Sequence, residues 1–481
     1  MSAAAPQIDP ALTARDVVSF TIDSRNVSAG DVFFALSQPE YANNGFNGDF
    51  DDATVFVAEA FKADAVAVVL RRDRYDEHRG ELVEFANRLI FVDDVIRALQ
   101  ELAHHVYLEW NRPIVAVTGS AGKTTVKELT AHILEGAGKK VLRNIKNYNN
   151  GLGHPLTVLN LARDMSYDVA VLEMGMSTPM NEIARLCRIT PPDVAVELNV
   201  LPVHLEHLGS IDNIAKAKAE LVEGMKAGGT AILNADDVNV LAMKALSKGA
   251  VLTYGLRSGV DVSASDVLFE SFGGTRFALT TPTGTAEVAF GLNGKHNILN
   301  ALAAAAVGHS FGMNAGDIAE ALSSASAPPQ RGEVITFAAG FTVINDSYNS
   351  NPAALVSMAQ TLVDGGAAAK RLIIVAGEML ELGPNAAAIH REAGRELGRL
   401  PIDVLVGVRG LGRDLVSGAI ESGMADASFV EDSAEAGHIV AGLLREGDVV
   451  LIKGSRGVQT EKALDVIIEK FGTAKHEAVK R

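Results

Sequence analysis

The sequence predicts an α/β protein of three domains, and three observations support this prediction. The chain has 481 residues, which is too long for one hydrophobic core and suggests about three domains. Hydrophobic residues make up 48% and charged residues 21%, a balance typical of a globular chain. From residue 114 onward, apolar runs of strand length alternate with helical stretches, as in parallel sheets covered by helices.

The charge and cysteine content narrow the class of protein. Lys and Arg number 43 against 59 Asp and Glu, and the formal net charge is −16. A uniformly basic nucleic-acid-binding surface is therefore not expected, although a local basic pocket for phosphates remains open. The single cysteine, Cys187, cannot form an intrachain disulfide, and no apolar run reaches the ~20 residues that cross a bilayer. We expect a cytoplasmic protein without membrane insertion or nucleic-acid partners.

The first domain, expected over residues 1–110, is predicted to be a small mixed α/β unit. Apolar runs of strand length occur at residues 20–22, 32–35 and 65–70. Between the last two, residues 43–48 are rich in Asn and Gly and predict a surface loop. This part of the chain therefore mixes short strands with loops.

The central domain, expected over residues 111–328, is predicted to hold a parallel sheet with an antiparallel addition. Its apolar runs predict buried strands at 114–117, 169–172, 194–196 and 231–233. Helical stretches are predicted at 124–134, 211–225 and 298–311. Turn residues flank two further runs, 276–280 and 287–290, which predict the antiparallel strands.

Pro328 and Pro329 mark the start of a third domain, expected over residues 329–481. Strand-length apolar runs with helical stretches between them recur in it, at 341–344, 372–375, 404–406 and 449–452. Its length of ~150 residues is a common domain size, and the alternation predicts a second α/β domain of Rossmann-like type.

The most informative segment is a glycine-rich turn between a predicted buried strand and a predicted helix. Its residues are Gly119, Ser120, Ala121, Gly122, Lys123, Thr124 and Thr125. The glycines let backbone N–H groups approach a polyphosphate, and the helix N-terminus adds partial positive charge. Lys123 would contact the β- and γ-phosphates, and the Thr124 hydroxyl would bind Mg²⁺. The full G-x-x-x-x-G-K-[ST] pattern fails at Val117, but the shorter G-x-x-G-K-T predicts binding of a nucleotide triphosphate.

Three further residues are candidate metal ligands. Glu173 ends a predicted strand run, where α/β sheets place ligands, and a carboxylate there can hold Mg²⁺. His204 follows the next strand after a short loop, and Lys218 lies fourteen residues later on a predicted helix. Singly, each of them is better explained as a structural or solvated side chain, so they indicate a site only together.

Segments along the whole chain resemble the motifs of the Mur ligases. They are 119–125, 147–157, 173–175, 204–210 with 217–220, 294–300, 345–352, 377–383 and 453–456. With Asp23-Ser24-Arg25 near the start, these motifs follow one another in the family's order. The segments 345–352 and 377–383 resemble the member that joins D-alanyl-D-alanine to a UDP-muramoyl tripeptide.

The resemblance implies an ATP-dependent amide-bond ligase of peptidoglycan precursor synthesis. The γ-phosphoryl group of ATP would pass to the C-terminal carboxylate of UDP-N-acetylmuramoyl-tripeptide, and the amine of D-alanyl-D-alanine would attack the resulting acyl phosphate. Phosphorylation supplies the leaving group that a carboxylate lacks, and positioning with neutralisation of oxygen charge would do most of the catalytic work. The partners would be these small substrates, and we expect a monomer.

Carried over by position, the resemblance also implies the central part of the site. Lys123 with its loop would hold the phosphates, Thr124 and Glu173 would hold a first Mg²⁺, and His204 a second. Lys218 matches the family lysine that CO₂ carbamylates. That modification requires a neutral amine and turns a cation into an anion able to approach Mg²⁺.

The remaining implied contacts come from several parts of the chain. Those near ATP are Asn297 and Asn300, at the adenine and ribose, and Arg331 and Asp346, which would reach ATP when the C-terminal domain closes. Those near the other substrates are Ser24 and Arg25, at the UDP-sugar, and Lys453 and Arg456. For Asn297 the alternative is a helix cap, and for Ser24 and Arg25 it is a capped turn with an exposed arginine.

Some positions depart from the family pattern. Ala121 stands where a polar residue is frequent, Asn181 replaces a usual Gly, and Asn345 replaces a usual Asp. Residues 48–49 lack a frequent histidine. These departures bear on substrate identity more than on nucleotide binding, because backbone groups form the phosphate cradle.

Two other functions share parts of this pattern. Another ligase of the same architecture, a muramoyl-dipeptide ligase or a folylpolyglutamate synthetase, would keep the phosphate loop with Glu173, His204 and Lys218. A nucleotide-dependent switch would need neither an amide product nor Lys218, and it would leave the C-terminal motifs unexplained.

Overall fold

The computed structural model describes residues 15–46, 50–145, 147–176, 181–202, 208–270 and 272–472. It confirms the α/β architecture, with separate N-terminal, central and C-terminal sheets in which parallel pairing dominates. None of the described helices is long and apolar enough to cross a membrane.

The N-terminal sheet places its parallel strands in chain order, from β1 to β4. Its strands are β1 (Ser19–Thr21), β2 (Asp31–Phe34), β3 (Ala67–Arg71) and β4 (Leu89–Val92). Its helices are α1 (Gln38–Asn43), α2 (Val57–Lys62), α3 (Arg72–Glu77), α4 (Arg79–Leu82) and α5 (Val95–Trp110). The predicted loop at 43–48 begins with the last residue of α1, and residues 47–49 lie outside the described part of the chain.

Helix α5 joins the N-terminal sheet to the central domain. Asp94 caps its start by accepting a hydrogen bond from the backbone N–H of Arg97. Its apolar face, which includes Leu99 and Trp110, lies in one core with Phe34 of β2 and with strands of the central sheet. The first two units of the chain are therefore packed around shared apolar side chains.

The central sheet has the order β13-β12-β11-β10-β9-β8-β5-β7-β6. Its strands are β5 (Ile114–Thr118), β6 (Val141–Arg143), β7 (Val169–Glu173), β8 (Val194–Glu197), β9 (Thr230–Asn234), β10 (Ala250–Gly255), β11 (Val262–Phe269), β12 (Thr275–Thr281) and β13 (Gly284–Phe290). Its helices are α6 (Lys123–Gly136), α7 (Gly153–Val158), α8 (Glu182–Ile189), α9 (Ile211–Glu223), α10 (Val238–Ala242), α11 (Lys295–Ser310) and α12 (Ala315–Ser324). The predicted antiparallel strands are β12 and β13, and they extend the parallel sheet at its edge.

The C-terminal sheet has the order β14-β15-β19-β16-β17-β18, with β14 antiparallel to β15. Its strands are β14 (Glu333–Thr336), β15 (Thr342–Asp346), β16 (Arg371–Gly377), β17 (Val404–Val408), β18 (Ala427–Val430) and β19 (Asp448–Lys453). Its helices are α13 (Pro352–Gly365), α14 (Ala386–Gly398), α15 (Gly412–Glu421), α16 (Ser433–Leu443) and α17 (Glu461–Phe471). Separate apolar clusters fill the two faces of this sheet, as expected of a sheet covered by helices on both sides.

Helices α14 and α15 approach each other through glycines. A Cβ atom added at Gly394 would lie 1.9 Å from the carbonyl oxygen of Leu415. We therefore expect Gly394→Ala to lower the free energy of unfolding by about 2 kcal/mol, because the helices would have to separate. Gly442→Ala in α16 is the control: an added Cβ there meets nothing within 4 Å, and it should stabilise by about 0.5 kcal/mol. Urea denaturation measures both, and equal effects would contradict the packing argument.

Candidate active site

A cavity lies between the central and C-terminal domains, at the carboxyl ends of strands from both sheets. Its volume of about 530 Å³ is in the range of small-ligand sites. Many of the residues expected at the nucleotide or its metal line it: Ser120, Ala121, Gly122, Lys123, Thr124, Thr125, Glu173, Asn297, Asn300, Arg331 and Asp346. Lys453, which is predicted to contact the other substrates, lines it as well. Parallel α/β sheets place ligands at this end of the strands.

The loop between β5 and α6 forms one wall of the cavity. Gly122 has φ +85°, and a Cβ atom added there would lie 2.4 Å from Oδ1 of Asn300. Asn199 fixes the loop by two hydrogen bonds: its Oδ1 accepts from the Ala121 N–H at 2.9 Å, and its Nδ2 donates to the Ala121 carbonyl at 3.2 Å. The loop therefore has a conformation that requires glycine at residue 122, and it lies at a helix N-terminus. Such a loop is suited to bind the phosphates of ATP.

Lys123 projects from the first turn of α6. Its Nζ donates to the Gly119 carbonyl at 2.9 Å. Burial of the ammonium lowers its pKa, Glu173 opposes this effect, and the cationic Arg331 adds to it. A half-buried ammonium that faces the cavity gains a partner when an anion enters it.

Glu173 ends β7, and both of its carboxylate oxygens are engaged. Oε2 accepts from the Thr124 hydroxyl at 2.7 Å, and Oε1 accepts from Nδ2 of Asn149 at 2.7 Å. Arg331 crosses from the C-terminal side, where its Nη2 donates to Oγ1 of Thr124 at 2.9 Å. A carboxylate and a hydroxyl oxygen side by side next to a phosphate cradle suit Mg²⁺, which is usually bound by one or two protein oxygens together with phosphates.

Lys218 lies on α9 and is buried, with 3% of its surface exposed. Burial lowers the pKa of Lys218 to about 7, the positive charge of Lys123 adds to this effect, and Glu197 opposes it. Glu197 ends β8 and is completely buried, and neither carboxylate oxygen has a hydrogen-bond partner in the described part of the chain. Burial raises the pKa of Glu197 well above its usual range. His204, the remaining predicted member of this group, lies outside the described residues.

The helix α11 supplies the wall beside the loop. Nδ2 of Asn300 donates to Oδ1 of Asn297 at 3.1 Å, and Nδ2 of Asn297 donates to the Asn293 carbonyl at 2.8 Å. Gly294 occupies the N-cap, so Asn297 is inside the first turn and the helix-cap alternative does not apply. Next to them, burial lowers the pKa of His296 to about 4, with Asp346 opposing the shift and Lys453 adding to it.

The C-terminal wall is built at the ends of neighbouring strands. Asp346 ends β15 and pairs in register with Lys453 at the end of β19. Nζ of Lys453 lies 2.6 Å from Oδ2 of Asp346 and donates to the Asn349 carbonyl at 2.9 Å. The guanidinium carbon of Arg331 lies 4.0 Å from the ring centroid of Tyr348. Arg331 is thus held between an aromatic ring and the Thr124 hydroxyl.

The other predicted substrate residues are not part of this cavity. Arg25 is exposed and pairs with Asp23, with Nε–Oδ1 at 2.8 Å and Nη2–Oδ2 at 2.7 Å. Ser24 begins the short turn that Asp23 caps. Nη1 of Arg456 donates to Oε1 of Glu461 at 2.7 Å. These contacts fit the capped turn expected as an alternative, and the substrate roles remain predictions.

The sequence reasoning did not select several residues that shape the cavity. Asn149 and Tyr348 occur only within the motifs 147–157 and 345–352 and have no role predicted for them singly, and Asn199 lies outside every motif. Glu197 could have been found, because it ends a buried strand as Glu173 does.

The sequence that forms this site matches family models and named proteins. Residues 117–308 match the family model described as Mur ligase middle domain, and residues 330–456 match the model described as Mur ligase, glutamate ligase domain. A protein of Bacillus subtilis (strain 168) named UDP-N-acetylmuramoyl-tripeptide–D-alanyl-D-alanine ligase is 34% identical over 423 residues. This alignment covers 88% of the present chain and 89% of that protein.

Solved structures resemble nearly the whole chain. A crystal structure of MurF from Acinetobacter baumannii covers 94% of both chains, with a TM-score of 0.81 and 28% identity. A crystal structure of the MurF ligase of Thermotoga maritima in complex with ADP covers 96% of this chain and 98% of that one, with a TM-score of 0.80 and 28% identity. These matches confirm the fold class expected from the sequence.

Proposed function

The chain belongs to the Mur ligase family, and on this premise we propose that it joins D-alanyl-D-alanine to UDP-N-acetylmuramoyl-tripeptide in an ATP-dependent step of peptidoglycan synthesis. The observation that carries the proposal is the cavity in which the phosphate loop of the central domain meets Arg331, Asp346 and Lys453 of the C-terminal domain. The substrates proposed are those in the name of the Bacillus subtilis relative. The use of ATP is supported by the ADP complex of the Thermotoga maritima protein. We place the reaction in the cytoplasm, where ATP is available.

The proposed chemistry begins with transfer of the γ-phosphoryl group. One carboxylate oxygen of the tripeptide forms a bond to phosphorus as the bond from phosphorus to the ADP oxygen breaks. The amine of D-alanyl-D-alanine then attacks the carbonyl carbon of the acyl phosphate. The bond from this carbon to the phosphate oxygen breaks as phosphate leaves, and the attacking nitrogen gives up a proton to solvent to form the amide. Lys123 and the backbone N–H groups of its loop would neutralise the phosphate oxygens, and Arg331 would approach them from the other wall.

Residues on the central wall fit the metal that such a reaction requires. Thr124 and Glu173 would hold Mg²⁺, and the ion would supply positive charge that offsets the charge on the phosphate oxygens. His204 and a carbamylated Lys218 would hold a second ion. Asn149 would keep the Glu173 carboxylate in place for this task.

Measurement of phosphate release with a panel of acceptors tests the function. The purified protein is given ATP, Mg²⁺ and UDP-muramoyl peptides together with D-alanyl-D-alanine, a diamino acid or glutamate, and products are identified by mass. We expect amide formation with the tripeptide and D-alanyl-D-alanine, with one ADP formed per product. Preference for a diamino acid or glutamate would favour the other ligases of this architecture, and hydrolysis without any amide would favour a nucleotide-dependent switch.

Lys218 is expected to be carbamylated, because its pKa of about 7 leaves a large share of the amine neutral near neutral pH. As pH falls below this value the amine becomes charged and cannot react with CO₂, so the carbamate should decline from pH 8 to pH 6. A ¹³C carbamate resonance after incubation with ¹³C-bicarbonate measures this, with Lys218→Ala as the control.

The same lysine gives a kinetic test. Lys218→Ala should lower activity about 10–100-fold, the range typical of groups that support a metal site, and a short carboxylate such as acetate should restore part of it. Absence of rescue, together with an unmodified Lys218 in the wild-type protein, would count against carbamylation.

A further inference from the structure

Helix α6 carries a second lysine, Lys127, that no motif assigned and that the proposed chemistry does not use. It follows Lys123 by one helical turn, so both point toward the same side of the helix. Lys127 is 2% exposed, which is unusual for a lysine unless it is paired. Its Nζ donates to the carbonyl oxygen of Asn144 at 2.5 Å and lies 2.9 Å from Oε1 of Glu128.

Asn144 connects this buried ammonium to the strand that ends at Glu173. It is 1% exposed, and its side chain forms a reciprocal pair with the backbone of Glu173. Nδ2 of Asn144 donates to the Glu173 carbonyl at 2.9 Å, and Oδ1 accepts from the Glu173 N–H at 3.0 Å. Nδ2 also donates to the carbonyl of Tyr148 at 2.9 Å.

The segment that Asn144 begins returns to the same glutamate through Asn149. Nδ2 of Asn149 donates to Oε1 of Glu173, and its carbonyl accepts from the N–H of Gly175 at 2.7 Å. A Cβ atom at Gly175 would lie 2.8 Å from Cγ of Asn149, so the two segments are in close contact. Both the backbone and the carboxylate of Glu173 are therefore held by a loop whose first residue is fixed by Lys127.

We infer that Lys127 is a positioning residue, which acts through Asn144 and Asn149 to orient the Glu173 carboxylate toward a divalent cation bound with the nucleotide. The inference rests on the proposed function in taking Glu173 as the metal ligand. Metal-binding carboxylates generally need such hydrogen bonds, and loss of a supporting group typically weakens metal binding about 10–100-fold. An ammonium is suited to the task because it stabilises a carbonyl oxygen more strongly than a neutral donor does.

The test measures metal binding in the ADP complex rather than ligation. Mn²⁺ serves as the probe for Mg²⁺, and electron paramagnetic resonance of free Mn²⁺ gives its affinity for the enzyme–ADP complex. Lys127→Met should weaken Mn²⁺ binding about 10–100-fold. Its ADP affinity in the presence of EDTA, measured by calorimetry, should be that of the wild type. Unchanged Mn²⁺ binding, or an equal loss of ADP affinity in EDTA, would overturn the inference.

Other variants separate positioning from packing. Lys226→Met is the control, because Lys226 is likewise paired with a carboxylate, Asp193 at 2.8 Å, although it is more exposed than Lys127, and no hydrogen bond in the described part of the chain links it to Glu173. It should bind Mn²⁺ as the wild type does. Glu173→Ala should lose Mn²⁺ binding, and retention there would remove the premise.

Asn144→Ala tests the same route without altering α6, so the inference stays testable if Lys127→Met does not fold. It too should lose Mn²⁺ affinity while ADP affinity in EDTA is kept. The double variant should lose less Mn²⁺ affinity than the sum of the two single losses, because both changes act on the segment that holds Glu173, whereas fully additive losses would overturn the inference. Absence of ligase activity would leave this inference standing, and wild-type Mn²⁺ binding by Lys127→Met would leave the proposed function standing.

Discussion

Lys123→Met is expected to lower kcat/KM for ATP about a thousandfold, which corresponds to about 4 kcal/mol of transition-state stabilisation. The reason is that the half-buried ammonium lines the cavity, where its one hydrogen-bond acceptor within the described contacts is the Gly119 carbonyl, so an entering phosphate gains a cationic partner. Methionine keeps most of the side-chain volume and removes the charge. Phosphate release at saturating peptide and acceptor measures the effect.

Stability separates this loss from unfolding. Since partial burial of the wild-type ammonium lowers its pKa and so disfavours its charged form, the Met variant should unfold at the same temperature as the wild type or higher when nucleotide is absent. Lys139→Met, at an exposed position just beyond the end of the same helix, should leave both activity and stability unchanged. Normal turnover by Lys123→Met, or a lowered unfolding temperature that accounts for its inactivity, would contradict the assignment.

Gly122→Ala should reduce kcat/KM about 100-fold, because a small displacement of the phosphate cradle misplaces the reacting atoms. The left-handed φ of +85° strains any side chain, and the new Cβ would lie 2.4 Å from Oδ1 of Asn300. We expect the free energy of unfolding to fall by about 2–4 kcal/mol from these two effects together. Phosphate release measures the loss of kcat/KM, urea denaturation measures the loss of stability, and calorimetry with ADP shows whether nucleotide affinity is lost.

Gly138→Ala is the matched control for the strain. Gly138 lies just beyond the other end of α6 with φ +75°, but an added Cβ there meets nothing within 4 Å. It should cost about 1–2 kcal/mol of stability and leave activity unchanged. If both variants lost the same stability and neither lost ADP affinity, the close approach to Asn300 would have no role in the cradle.

Long, apolar elements could be predicted from the sequence because burial on both faces leaves an uninterrupted hydrophobic run. Strands β5, β7 and β16 are of this kind, and they lie where their runs indicated. Strand β6 has only three residues, and the apolar residues of β11 are interrupted by Ser263, Ser265 and Asp266 in a partly exposed strand, so neither produces a distinct period. Strand order was also beyond the sequence, since β5 lies between β7 and β8, and β19 between β15 and β16.

The candidate site could be predicted where a residue type carries its own chemistry. The phosphate loop could be predicted because glycines and a lysine between a buried strand and a helix are typical of phosphate binding. Glu173 could be predicted because a carboxylate at the end of a buried strand is typical of a ligand site. Asn144 and Asn199 could not be found, because the role of an amide side chain depends on the groups to which it hydrogen-bonds. Here those groups are backbone atoms from distant parts of the chain. The pairing of Asp346 with Lys453 depends in the same way on which strands are neighbours.

Helix α5 limits how this chain can be divided or recombined. Because its apolar face packs against both the N-terminal sheet and the central one, a cut after Trp110 would expose apolar surface on both fragments. A chimaera whose first hundred residues come from a relative would need compatible apolar residues in the central domain where α5 packs, such as Leu186 and Leu161. The C-terminal portion, with apolar clusters of its own, is the natural module for exchange between ligases.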